Sequence, residues 1–218
     1  MMQLQIPKQD ILAQLIIQLE SHFMLSDIEK SVIFEYLDLA LEKCESNFLA
    51  SSNKYFFIEM GGHKNVRFNP YHSVQYMIFL YYLSHEIYVN TQNSILCDKI
   101  YYLNKIMNGV DLFYAIELPQ KFGAEHPLGS VMGRAKYSEG FFFYQGCTVG
   151  GTVGKNAKIY YPVLGENVQM FANSSILGRC KVGDNVKIGA GALVKNEDIP
   201  SDSIVFGQSP NLIIKHIK

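Results

Sequence analysis

A chain of 218 residues with 48% apolar side chains can bury a real core in one or two domains. Its formal charge of −1 at pH 7 excludes a nucleic-acid surface or an acidic tail as the organising feature. The opening MMQLQIPKQD has neither the basic start nor the apolar core of a leader and no apolar run reaches membrane length, so no membrane span is expected and cytoplasm is the expected compartment.

The first hundred residues read as helices. Ile11, Leu12, Leu15, Ile16, Leu19 and Phe23 share one helical face. Ser26-Asp-Ile-Glu29 has the form of a capping box, opening a second helix with Ile28, Val32, Leu39 and Leu41 as its apolar residues. The polar, Gly-containing segment Ser51 to Asn69 reads as loop. Pro70 suits the first turn of a third helix, with Val74, Met77, Ile78 and Tyr81 on its apolar side. A fourth helix uses Leu96, Ile100, Leu103 and Met107 and stops at Asn108-Gly109. Paired aromatics such as Tyr81-Tyr82 and Tyr101-Tyr102 have no basic stripe beside them, so they read as core or subunit contact rather than a stacking platform.

From Leu164 the pattern changes. Apolar side chains recur every six residues at Leu164, Met170, Ile176, Val182, Ile188 and Val194, with thin residues at Val168, Ser174, Cys180, Val186 and Ala192. A second run, Cys147, Val153 and Ile159, precedes it in a matching phase, with Gly154 and Ala157 in the corresponding places. A period of six fits neither helix nor exposed strand, and three hexads make one triangular coil of a parallel β-helix. Gly165, Gly183 and Gly189 then mark corners where φ turns positive or a side chain would clash. About three coils are expected, plus one or two before Cys147. The fold class is thus α+β, with an α-helical domain over 1–108 and a β-helix over 109–218 whose tail, Leu212 to Ile214, caps the open end. Cys44, Cys97, Cys147 and Cys180 show no metal-type pairing and read as packed, reduced thiols. His72 and His85 cannot share a metal and read as polar surface or satisfied core, so no metal is expected.

The segment from Val110 to Pro162 resembles the serine acetyltransferases, a branch of the hexapeptide-repeat acyltransferases with left-handed β-helices. The family's Val-Asp-Ile-His-Pro opening is similar to Val110-Asp111-Leu112, and fifteen residues after Asp111 comes Glu125-His126-Pro127-Leu128-Gly129, where the family has Asp-His-Ala-Thr-Gly. Its Val-Thr-Leu-Gly-Gly-Thr-Gly is mirrored by Cys147 to Gly154, and its Gly-Ala-Gly segment by Gly189 to Val194. Phe68-Asn69-Pro70 resembles a family Arg-Asp-Pro. The similarity spans roughly residues 105–214.

The resemblance implies an acetyl-CoA-dependent O-acetyltransferase in which His126 is general base and Asp111 its orienting carboxylate. A neutral imidazole suits removal of a hydroxyl proton at pH 7, and a carboxylate on its other nitrogen would fix the tautomer. A backbone N–H near Gly150 or Gly151 would stabilise the oxyanion. Without an elbow motif for serine or cysteine, transfer is expected to be direct. For coenzyme A as acyl donor the resemblance implies the coil faces near Gly151, Ala172 and Ala190, with Lys195 near the phosphates. It also implies a homotrimer, with the helical half pairing trimers into hexamers.

The acceptor residues depart from the family. Tyr160-Tyr161-Pro162 stands where the family has Arg-His-Pro, Asn69 where it has Asp, and Glu125 where it has the Asp before the histidine. Losing the guanidinium removes the bidentate partner of a carboxylate, and losing the acid removes the partner of an ammonium. Tyr and Asn suit a sugar or another alcohol, with L-serine the alternative acceptor and a catalytically silent scaffold the reading from another class. A β-helical carbonic anhydrase needs three histidine ligands per zinc, and after residue 100 only His126 and His216 are present.

Overall fold

Counting by four from Ile11 gives Leu15 and Leu19, and these are the residues that the first helix buries. The computed structural model describes residues 2–51 and 53–217, and the chain divides between Asn108 and Gly109 into two units. In the first unit a short strand, β1 (Gln3–Leu4), precedes α1 (Lys8–Glu20), which buries Ile11, Leu15 and Leu19. The capping box is formed at the start of α2 (Asp27–Leu49): the Glu29 N–H donates to Ser26 Oγ at 3.2 Å, and the Ser26 N–H donates to Glu29 Oε2 at 2.8 Å. The buried side of α2 is Ile33, Leu37, Ala40, Leu41, Cys44 and Phe48, and Ile28 is exposed. Of the expected residues Leu41 is buried, Val32 and Leu39 are half-buried and Ile28 faces outward. Counted in sevens from Ile28, the expected stripe would have put Glu35 and Glu42 into the core.

The segment expected as loop contains a hairpin, β2 (Phe57–Met60) and β3 (His63–Phe68), turning at Gly61-Gly62 with φ of 59° and 78°. Two successive left-handed residues give the turn whose twist matches antiparallel strands. β1 adds to β3 in parallel, and Phe68 buries its ring against Phe48 and Phe79. Helix α3 (Ser73–Thr91) begins three residues after Pro70 because the side chains ahead of it close the chain first. Asn69 Oδ1 accepts the Tyr71 N–H at 3.0 Å, and His72 Nδ1 accepts the Gln75 N–H as the N-cap. Every residue of α3 from Val74 to Ser84 is buried, so the helix is central, packed by α2 and by α4 (Ser94–Asn108). Buried polar groups along it are hydrogen-bonded: Ser84 Oγ donates to Leu80 O at 2.8 Å and, from α4, Asn104 Nδ2 donates to Met77 O at 3.1 Å. α4 buries Leu96, Ile100 and Leu103 but leaves Met107 exposed.

The second unit is a parallel β-helix of about five coils. β4 (Asp111–Leu112) and β5 (Phe122–Ala124) belong to the first coil, β6 (Val131–Met132) and β7 (Phe141–Phe143) to the second. The third runs through β8 (Thr148–Gly150), an excursion formed by β9 (Thr152–Val153) and β10 (Ile159–Tyr160), then β11 (Val163–Leu164) and β12 (Gln169–Met170). The fourth holds β13 (Ser175–Leu177), β14 (Lys181–Val182) and β15 (Lys187–Ile188). The fifth holds β16 (Leu193–Lys195) and β17 (Ser203–Gln208), along which β18 (Asn211–His216) returns antiparallel as an added strand on the last coil.

The parallel registers stack one inward side chain of each coil on the next. Leu112, Met132, Val149, Ile176 and Val194 form one column and Ala124, Phe143, Met170, Ile188 and Val205 a second. Leu164, Val182 and Ile199 form the third, and all three columns are buried. The six-residue repeat from Leu164 to Val194 is thus the interior of the prism. In the earlier run only Cys147 is buried: Val153 and Ile159 are 70% and 49% exposed and pair with each other across the antiparallel hairpin of β9 and β10, while Val149 fills the interior place of that column.

Of the two reasons expected for glycine at the corners, the structure shows the clash rather than a positive φ. Gly165, Gly183 and Gly189 have ordinary φ. A methyl on Gly183 would meet the backbone N of Ser201 at 2.5 Å, so close approach of successive coils is what requires glycine there. Several positive-φ corners belong to asparagine instead, at Asn167, Asn173, Asn185 and Asn196.

Candidate active site

One corner of the β-helix, between the β5 face and the β4 face, differs from coil to coil in length. From Phe143 to Thr148, Met170 to Ser175 and Ile188 to Leu193 the chain advances five residues between aligned strand positions; from Ala124 to Val131 it advances seven. The two extra residues push the turn outward, and His126 lies within it. Its side chain is 79% exposed. The regular left-handed places of this corner hold Gly129, Gly146, Asn173 and Gly191, whereas His126 is an additional left-handed residue at φ 51°. The turn is tied down at both ends: Glu125 N–H donates to Phe143 O at 3.1 Å, Leu128 N–H to His126 O at 2.8 Å, and Gly129 N–H to Gly109 O at 2.7 Å.

Glu125 Oε1 lies 4.0 Å from His126 Nε2, beyond hydrogen-bond reach. Asp111 is half-buried on β4, where its N–H donates to Ser130 O at 2.8 Å and its register partner is Val131. The first coil therefore places Asp111 beside the residues that close the His126 corner. One coil on from Glu125, Tyr144 stacks its ring on Phe171 at 5.3 Å and 11°, with Phe142 tilted at 5.4 Å. Burial first, then the charge of Glu125 and a hydrogen bond to it, push the Tyr144 phenol up. This aromatic column was missed in the sequence, although Phe141-Phe142-Phe143-Tyr144 carries the signal. At a period of two, Phe141 and Phe143 turn inward, which leaves Phe142 and Tyr144 outside.

Ala172 and Ala190 lie along the same corner in later coils, linked by the Gly191 N–H donating to Ala172 O at 2.9 Å. Gly150 and Lys195 are aligned through Leu177 at the other edge of the β8 face. From that edge leaves the excursion carrying Gly151, Tyr160 and Tyr161. Its tyrosines fold back on its glycines: a methyl on Gly151 would meet the Tyr161 ring at 2.7 Å and one on Gly154 the Tyr160 ring at 2.6 Å. Lys158 Nζ sits 5.3 Å from the Tyr160 ring centroid. Within one chain, then, the structure brings Glu125, His126, Ala172 and Ala190 to one corner and Gly150, Gly151, Tyr160, Tyr161 and Lys195 to another. Asn69 lies in the helical unit, where its side chain is used in the turn before α3 and its N–H donates to Gln75 Oε1 at 2.6 Å. Among the described residues no group of three His, Cys, Asp or Glu is arranged to hold a metal ion, and no helix is long and apolar enough to cross a membrane.

Comparison with known proteins agrees with this architecture. Residues 161–196 match the bacterial transferase hexapeptide (six repeats) family. A serine acetyltransferase of Synechococcus elongatus is 37% identical over 107 residues, covering 49% of this chain and 43% of that protein. One of Staphylococcus epidermidis is 30% identical over 139 residues, covering 63% of each. The chain thus spans less than two thirds of the length of these relatives. Among solved structures, serine acetyltransferase from Brucella abortus superposes with a TM-score of 0.68 at 19% identity, covering 88% of this chain and 76% of that one. That of Neisseria gonorrhoeae gives 0.65 at 21%, covering 96% and 87%. By its repeat over residues 161–196, its sequence relatives and its fold, the chain is similar to the serine acetyltransferases, which carry the same hexapeptide-repeat architecture.

Proposed function

We propose that the protein transfers an acetyl group from acetyl-coenzyme A to a hydroxyl, with His126 as general base. The observation that carries this reading is the lengthened corner, which holds one imidazole out from an otherwise regular β-helix beside Glu125, with the Asp111 N–H tied to Ser130 O where that corner closes. In the proposed step the acceptor hydroxyl attacks the thioester carbonyl as His126 takes its proton. The tetrahedral intermediate collapses, the carbon–sulfur bond breaks with its electron pair going to sulfur, and the imidazolium returns the proton to the thiolate. The products are an acetyl ester and free coenzyme A. Asp111 is the proposed orienting carboxylate, and a backbone N–H at Gly150 or Gly151 the proposed oxyanion donor.

Relatives that carry the name serine acetyltransferase favour L-serine over a saccharide as acceptor, and a solved neighbour in complex with coenzyme A supports the donor. The sugar reading keeps one specific support: the excursion offers Tyr160 and Tyr161, with no guanidinium at the matching place. A homotrimer, with the helical unit pairing trimers, is the proposed assembly, the groove between Ala172, Ala190 and a neighbouring copy the proposed donor site with Lys195 near the phosphates, and the cytoplasm the proposed compartment. The test is release of coenzyme A thiol from acetyl-coenzyme A with L-serine, and separately with a panel of sugars. Turnover with serine supports the first acceptor, turnover with sugars alone the second, and none with either contradicts the proposed transfer.

A further inference from the structure

Between the faces that carry β8 and β11, successive coils turn one corner very differently. Met132 pairs with Val149 and Lys136 with Val163, so Gly133-Arg134-Ala135 of the second coil spans what the third coil spans with Gly150 to Pro162. On the other side Leu177 pairs with Gly150 and Lys181 with Val163, so the fourth coil crosses with Gly178-Arg179-Cys180. The excursion therefore leaves and returns between two short turns of like sequence, Gly133-Arg134-Ala135-Lys136 and Gly178-Arg179-Cys180-Lys181, with one arginine on each side of its mouth. The chain has only three arginines, and the third, Arg67, lies in the helical unit.

Both turns are pinned. Tyr137 Oη donates to Gly133 O at 2.7 Å. Asn196 Oδ1 accepts the Arg179 N–H at 3.0 Å and the Thr152 hydroxyl at 3.2 Å, which ties the second turn to the start of the excursion. Arg134 and Arg179 are exposed, and among the described residues neither guanidinium has an ion-pair or hydrogen-bond partner. From Gly151 to Pro162 the excursion carries Lys155 and Lys158 and no carboxylate. Beyond the two turns this corner carries Glu117 in the first coil and Glu197 and Asp198 in the fifth, and Asp198 Oδ1 accepts the Lys181 N–H at 2.8 Å. Cations thus dominate the mouth.

We infer that Arg134 and Arg179 are an anion-recognising pair at the mouth of the excursion, and that the acceptor alcohol carries a carboxylate; the inference rests on the transfer reaction proposed above and names its acceptor class. Adjacent coils lie about 5 Å apart, so the two backbones are separated by about 10 Å, a gap that two long side chains can close on one small anion. A guanidinium presents a planar fork that binds a carboxylate through two parallel hydrogen bonds. A neutral alcohol leaves both forks without a charged partner. The guanidinium absent at Tyr160-Tyr161 is in this way supplied by the coils on either side.

The test compares acceptors matched except for the carboxylate, L-serine against serinol and D-galacturonate against D-galactose, in the wild type and in Arg134→Gln and Arg179→Gln. In the wild type the acidic member of at least one pair should be the better acceptor by about tenfold or more in kcat/KM. Each Gln substitution should raise KM for that acid by about tenfold and leave KM for acetyl-coenzyme A within about twofold. Arg134→Lys, which keeps the charge and loses the fork, should lie between. Calorimetric titration with the same acids gives a readout independent of turnover, the affinity falling in both Gln variants. Preference for the neutral member of both pairs, an unchanged acid KM and affinity in either Gln variant, or a KM change confined to acetyl-coenzyme A overturns the inference while leaving the proposed transfer standing. A wild type that turns over none of the four acceptors but binds an acid that the Gln variants lose supports the anion pair and removes the transfer. Neither turnover nor binding in the wild type removes both together.

Discussion

The side-chain amide of Asn167 donates to Asn185 Oδ1 at 3.0 Å across one coil of the β-helix, and both residues are left-handed with φ of 56°. Asn185 Nδ2 continues the ladder to Asp202 Oδ1 at 2.9 Å. The residue type thus serves two needs at once, a backbone conformation that most side chains resist and a hydrogen bond that ties coils together. Asn185→Ala should destabilise the protein by about 2–5 kcal/mol, the sum of a left-handed alanine and two lost hydrogen bonds. Asn185→Gly should cost less, because it keeps the conformation and loses only the bonds. Urea denaturation of the three proteins checks the order.

Two glycines separate backbone conformation from close packing. At Gly183 the backbone is ordinary and a methyl would press on the backbone of Ser201, whereas at Gly191 φ is 70° and the space is open. Gly183→Ala should therefore cost more, about 1–3 kcal/mol or above since backbone cannot move aside, against about 1–2 kcal/mol for Gly191→Ala. Equal losses by urea denaturation would contradict the assignment of Gly183 to coil contact.

His72 gives the helical unit a pH dependence of known sign. Burial lowers its affinity for a proton, against a weaker opposing contribution from a backbone hydrogen bond, and the Arg67 charge lowers it further. The folded value lies below the ordinary 6.5, so the unfolded chain binds the proton more readily. The contribution of this residue to stability is present above pH 6.5 and is lost as pH falls from there through the folded value. Protonation of Nδ1 would also remove the acceptor that caps α3. His72→Asn, a good cap that does not titrate, should flatten this part of the profile when unfolding free energies at pH 7.5 and 5.5 are compared.

The four cysteines are buried, and burial pushes the Cys44 thiol well up and the Cys97 thiol to about 12. A neutral buried thiol is a poor nucleophile. A disulfide reagent at pH 8 should react with none of the four on the timescale of minutes, and with all four after denaturation. Rapid reaction of one thiol in the native protein would show that its coil or helix opens.

Legibility in the sequence followed the regularity of the packing. The interior from Leu164 to Val194 could be read because each coil there imposes the same spacing on the chain. Where the chain leaves the prism, at Val153 and Ile159, the same spacing persisted by coincidence and misled. The hairpin of Phe57 to Phe68 was hidden because its strands are partly polar, though Gly61-Gly62 marked its turn. His126 was legible only through its resemblance to a family motif, since nothing local distinguishes it from any histidine before a proline. The reason it stands out, a corner two residues longer than those aligned with it, is visible only once the registers are known. Tyr144 was overlooked because an outward aromatic on a short strand has no pattern of its own.

The central claim is that His126 takes the acceptor proton. The most direct measurement is the rate of coenzyme A thiol release from acetyl-coenzyme A and L-serine by the wild-type protein and by His126→Ala. A wild-type rate that falls by about 10² to 10⁴ in the variant, with the fold retained, is the predicted result. An unchanged rate in His126→Ala would contradict the account.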